Sequence, residues 1–166
     1  MTASDHQLAA GETAAGAFSR LYTPDQRARR DATIWTPVQG ILAPLQFLVC
    51  LISAVLVLRY LWTGVGYDLA TWSIILKTGL LFTIMVTGAI WEKVVFGQYL
   101  FAEAFFWEDV FSFIVIALHC AYVWLLLAGW PAEIQMWTAL AAYLAYFVNA
   151  TQFVLKLRAA RLEAVA

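Results

Sequence analysis

The stretch VQGILAPLQFLVCLISAVLVLRYLW, residues 38–62, decides the fold. It runs 25 residues with one charged side chain, Arg59, close to its far end. About 20 consecutive apolar residues are enough for a helix to cross the hydrocarbon core of a bilayer. The run is continuous rather than alternating, and in lipid only helices and closed barrels satisfy every backbone group, so it reads as a helix.

Three more such runs follow, at about 71–91, 110–127 and 136–155. Turn-forming segments, Thr63 to Asp68 and Ala128 to Glu133, join the first two and the last two. The composition agrees, with 63% hydrophobic and 13% charged residues and a mean hydropathy of +0.76. A soluble domain is about 45–50% apolar and about 25% charged. The chain is therefore expected to be an all-α, polytopic membrane protein, a bundle of four transmembrane helices over residues 21–166. A soluble enzyme, a disordered chain and a nucleic-acid binder are excluded. Cys50 and Cys120 lie inside apolar runs without metal-ligand spacing, which argues against a disulfide scaffold or a zinc site.

Residues 1–20, rich in Ala, Gly, Thr and Ser and lacking a signal peptide's apolar core, are expected to form a disordered cytoplasmic tail. Thr23-Pro24 then offers a cap and a first-turn proline for a short basic surface helix. Arg20, Arg27, Arg29, Arg30, Lys93, Lys156, Arg158 and Arg161 fall on one side of the spans and Arg59 alone on the other. That bias predicts both termini and the 92–109 segment of a multi-pass protein in the cytoplasm. Trp35, Trp62, Trp72, Trp91, Trp107, Trp130 and Trp137 lie near span ends, as an interfacial belt requires.

Polar residues inside spans are expensive and point to function. Gln39, Gln46 and Ser53 recur every seven residues, with Cys50 four beyond Gln46, so they share a helical face. Glu108, Ser112 and His119 line one stripe of the third span, and Asn149, Gln152 and Lys156 one face of the fourth. Helix-to-helix hydrogen bonding is the ordinary use of such stripes. Lys77, in the second span, is expected to snorkel to the interface. The segment 91–109 is too aromatic for a solvated connector and holds four of the eleven acidic residues, Glu92, Glu103, Glu108 and Asp109. Gln39, Glu92, Glu108, Asp109, Asn149 and Gln152 are expected to converge at the cytoplasmic half, with Gln46 and His119 deeper, around an apolar pocket open to the cytoplasm.

The strings WEKVVFGQYLF (91–101) and FFWEDV (105–110), with TPVQGILAPLQFLV (36–49) before them and NATQFVLKLRAARL (149–162) after them, resemble the 3-vinyl bacteriochlorophyllide hydratases of bacteriochlorophyll synthesis. The likeness runs from about Leu21 to Leu162. It implies a membrane enzyme of purple phototrophic bacteria that adds water to the 3-vinyl group of chlorophyllide a or its bacteriochlorophyllide counterpart, leaving a 3-(1-hydroxyethyl) group. It implies no cofactor, since the magnesium belongs to the substrate, and makes neighbouring enzymes of the pathway candidate partners.

Such chemistry needs a carboxylic acid that keeps its proton, a group that orients water and a flat apolar slot. Apolar surroundings and a neighbouring carboxylate favour the protonated form, and Glu108 beside Asp109, Phe105, Phe106 and Trp107 meets both conditions. The sequence therefore suggests Glu108 as general acid, with Asp109 or Glu92 positioning water. His119 is a candidate to orient the water or to ligate the substrate magnesium. Lys93, or Arg29 and Arg30, suits the substrate propionate, and Trp107, Gln39, Gln46, Asn149 and Gln152 are candidate substrate contacts. Two rival readings remain: a non-enzymatic pigment-binding or assembly protein, and a small subunit of a larger membrane complex.

Overall fold

A computed structural model describes residues 21–163, all-helical apart from short connections. The expected tail, 1–20, lies outside the described residues. Five α-helices follow in order: α1 (Pro24–Ala32), α2 (Trp35–Thr63), α3 (Tyr67–Phe96), α4 (Phe106–Leu127) and α5 (Ala132–Glu163), with a single 3-10 turn at Glu103–Phe105. Four of them, α2 to α5, are long and apolar enough to cross a membrane.

α1 starts as its sequence predicts. The Thr23 hydroxyl accepts from the Gln26 amide (3.3 Å) and the Gln26 side chain accepts from the Thr23 amide (2.9 Å), a closed capping box with Pro24 at the first position. Thr36 then donates to the Arg30 carbonyl (2.6 Å) and accepts from the Trp91 indole (3.0 Å), tying α1 to the starts and ends of the spans. Gly64 (φ +70°) ends α2 and Gly97 (φ +89°) ends α3, both left-handed, which a side chain would resist. The helices outrun the expected spans, because nothing in the backbone stops them where the hydrocarbon would end and their extra turns carry the charged residues that water can solvate.

The spans pack as two antiparallel hairpins, α2 with α3 and α4 with α5, joined through α2 against α5 and α3 against α4. Four spans put both ends of the described chain on one side, together with Arg27, Arg29, Arg30, Lys93, Lys156, Arg158 and Arg161; this is the basic end. Apolar residues such as Leu48, Val55, Trp72, Val86, Leu144 and Val154 face outward, while much of the interior is polar. Ser53 bonds the hydroxyls of Ser73 (2.6 Å) and Tyr143 (2.5 Å), and Tyr67 donates to Gln135 (2.7 Å). Apolar core residues such as Val57, Ile74, Val115 and Met136 fill the space between. Lipid tails are as apolar as leucine, so such inward hydrogen bonds and close packing hold the helices together. Tyr143→Phe is expected to cost about 0.6 kcal/mol and no more than about 1.7, the range for single bonds in membrane bundles, read as reduced resistance to unfolding in micelles.

Lys77 corrects the sequence expectation. It does not snorkel: it is 0% exposed, on the inward face of α3 with Ile74, Thr78 and Leu81. It lies about 15 Å along the helix from Tyr67, deeper than its stem can climb. Its ammonium sits 3.7 Å from the centre of the Tyr146 ring. With the Gln46 amide turned to satisfy both of its ends, Gln46 accepts from Lys77 (2.9 Å) and donates to the Leu80 carbonyl (3.2 Å). The cation is thus solvated by an amide oxygen and an aromatic face. Of the tryptophans, Trp62, Trp72, Trp107, Trp130 and Trp137 are exposed, as a belt requires, whereas Trp91 packs inward against Phe96 and Phe105.

Candidate functional site

The connection between α3 and α4 folds back on the basic end instead of extending into solvent. Lys93 donates to the Gly97 carbonyl (2.7 Å) and lies over the Tyr99 ring (5.3 Å), so it closes the end of α3. The chain then reaches Phe101, the one non-glycine residue with positive φ among those described (φ +58°). A bulky residue held there costs about 1–3 kcal/mol. What holds it is a pair of acids. Asp109 Oδ2 accepts from the Phe101 amide (2.6 Å), and Glu92 Oε2 accepts from the next amide, Ala102 (3.2 Å).

Glu92 comes from the last turns of α3 and Asp109 from the first turn of α4, so closing the connection brings them together. The two carboxyls therefore accept from consecutive amides. Two carboxyls buried side by side cannot both carry charge cheaply, so one keeps its proton. Asp109 makes the shorter bond to its amide and stands at a helix N-terminus, which favours the anion. That leaves the proton on Glu92. Both are buried, at 5% and 4% exposure.

Glu108, expected as the acid, is found in another bond. Its Oε2 lies 2.6 Å from Lys156 Nζ, an ion pair between α4 and α5. Lys156 also donates to the Ala104 carbonyl and lies 5.2 Å from the Phe105 ring centre. One turn deeper, Asn149 donates to Ser112 (2.8 Å). Glu108, Ser112 and His119 do share the buried stripe of α4, but the structure does not bring His119 to the acids. Eleven residues separate it from Glu108, about 16 Å along the helix. Its Nδ1 donates to the Val115 carbonyl (2.8 Å), since a carbonyl only accepts, and Nε2 is buried without a partner.

The other candidates are dispersed. Gln39 donates to Thr87 (2.8 Å) within the α2–α3 hairpin, and Gln46 serves Lys77 in the middle of the bundle. Gln152 is half-buried with an unpartnered Oε1, while Trp107 is 65% exposed on the outer surface. The acids line neither of two surface hollows, one of about 340 Å³ edged by Tyr22, Pro24, Arg27, Ala28 and Asp31, the other on the outer face of α2. At their end of the bundle Tyr22, Trp91, Phe96, Phe105 and Phe153 pack as one apolar cluster, and the Phe101–Ala102 turn is tied to the acids by its two amides. Sequence reasoning also missed the Glu108–Lys156 pair, whose one signal was the placement of Lys156 seven residues beyond Asn149, on the same face. It missed the Phe101 turn as well, which carries no glycine to announce it.

Comparison with known proteins places this arrangement. The family described as 2-vinyl bacteriochlorophyllide hydratase matches residues 22–159. A 2-vinyl bacteriochlorophyllide hydratase of Cereibacter sphaeroides is 72% identical over 144 residues, covering 87% of this chain and 90% of the relative. One of Rhodobacter capsulatus is 69% identical over 144 residues, covering 87% and 84%. No solved structure matches. The match spans both long connecting strings and all four spans, and on that ground the chain belongs to the 2-vinyl bacteriochlorophyllide hydratase family.

Proposed function

We propose that this protein adds water to the peripheral vinyl group of a bacteriochlorophyllide or chlorophyllide, with the Glu92–Asp109 pair as proton donor. The vinyl position written 2 in the family description is the one written 3 in the sequence reading. The observation that carries the mechanism is the pair of buried carboxyls, one from each hairpin, held on consecutive amides.

Glu92 gives its proton to the terminal vinyl carbon, which becomes a methyl group. The adjacent carbon acquires cationic character, spread by conjugation into the macrocycle. Water attacks that carbon and loses a proton, which returns to the pair, so the cycle consumes one water and restores the acid. Once the proton has left, both carboxylates are charged, and the Phe101 and Ala102 amides already point at them. Donors fixed in place before charge develops lower its cost without reorganisation. Lys156, beside Glu108, supplies a further positive charge.

In this reading Glu108 ties α4 to α5 beside the acid pair, and His119 acts as a core hydrogen bonder. Lys93 and the arginines of α1 suit the substrate propionate at the membrane surface. The basic end faces the cytoplasm of a phototroph's inner or intracytoplasmic membrane, supported by the lysine and arginine bias. Water is then at hand on that side, and neighbouring pathway enzymes can exchange pigment there.

Membranes holding the protein, given a 3-vinyl chlorophyllide, are expected to form a product heavier by one water, with the absorption change of losing a conjugated double bond. Pigment bound without that product would favour the carrier reading.

A further inference from the structure

The Phe101 turn does more than cover the acids. A glycine at 101 would take φ +58° freely, so the turn itself does not call for a ring. The ring lies nearly parallel to Phe113 (interplanar 12°, centroids 5.5 Å apart), with Phe106 tilted against it at 5.7 Å. Phe101 is 39% exposed, Phe106 43% and Phe113 42%, whereas Phe105 on the inner side of the connection is 2% exposed. The three rings form a ledge at the basic end, where spans meet water and a flat amphiphile with a charged tail settles. The root of that ledge is the amide that Asp109 grips at 2.6 Å.

Building on the hydration reading above, we infer that the Phe101 ring is the platform on which the macrocycle stacks, setting its vinyl-bearing edge against the Glu92–Asp109 pair. Phe101 is then a positioning residue whose place is set by the acid it serves, since the same carboxylate that takes part in proton transfer fixes the platform's backbone. Stacking needs only a flat face, so it selects a planar macrocycle without reading its substituents.

The experiment uses the full chain in micelles or nanodiscs, a 3-vinyl chlorophyllide as probe, and the variants Phe101→Gly, Phe101→Leu and Phe101→Trp. Phe101→Gly keeps the turn and removes the ring, so its unfolding midpoint should equal or exceed that of the unchanged protein. Its KM and pigment Kd should rise about two- to tenfold, the worth of one aromatic stack. Phe101→Leu, apolar but not flat, should behave like Phe101→Gly, and Phe101→Trp should restore binding. An unchanged Kd in Phe101→Gly, or a Phe101→Leu variant equal to Phe101→Trp, overturns the platform. If the unchanged protein binds pigment but makes no hydrated product, the hydration reading fails while the platform still stands or falls on Kd.

Discussion

Glu92→Gln is expected to lower hydration by about 10²- to 10⁴-fold, the usual worth of a positioned general acid, with pigment binding retained. Gln keeps the shape, but it has no carboxyl proton to give. Asp109→Asn should fall as far for a second reason: the Phe101 amide loses the carboxylate that accepts from it at 2.6 Å. Glu108→Gln separates the roles. It leaves the acid pair intact and removes only an ion-pair partner, so turnover should stay within about tenfold of the unchanged protein. Loss of turnover in Glu108→Gln with activity kept in Glu92→Gln would return the acid's role to Glu108. The measurement is initial rate against total bound pigment for each variant, so that catalysis and binding are read apart.

Removing Lys156 should cost the most stability. Lys156→Met strands Glu108 as a buried carboxylate, 6% exposed, with its ammonium gone. Breaking a buried pair on one side costs about 3–5 kcal/mol, and the lower end applies because the Lys156 side chain is 28% exposed. Adding Glu108→Gln to Lys156→Met removes the stranded charge and should recover most of that loss. The four proteins make a double-mutant cycle, measured by unfolding in micelles. Purely additive losses would show that the pair contributes nothing beyond its separate parts.

The features that could be read in advance were those set by local periodicity and composition. Apolar run lengths located the four spans, Thr23-Pro24 announced the start of α1, and the seven- and four-residue spacings placed Gln46, Cys50 and Ser53 on a buried face. Glu108, Ser112 and His119 likewise proved to share one stripe. What hydropathy cannot encode is azimuth relative to partners far along the chain. Lys77 was read by its depth, which invites snorkelling, whereas its direction is set by Gln46 and Tyr146 on two other helices. Glu108 looked like an acid in an apolar setting because its counter-ion lies 48 residues away. The left-handed Phe101 has no local cause at all; two carboxylates from different helices impose it.

The interior polarity also bears on how the chain enters the membrane. Each hairpin brings its own internal partners: Gln46 with Lys77 and Ser53 with Ser73 in the first, Ser112 with Asn149 and Glu108 with Lys156 in the second. A helix inserted singly would present its amide, ammonium or carboxylate to lipid, at several kcal/mol for each charge. Entering in pairs, the helices hide those groups as they arrive, and Tyr143 and Tyr146 then latch the second pair onto the first. The bonding pattern thus favours insertion by hairpins, and the acid pair comes into being only when both hairpins are in place.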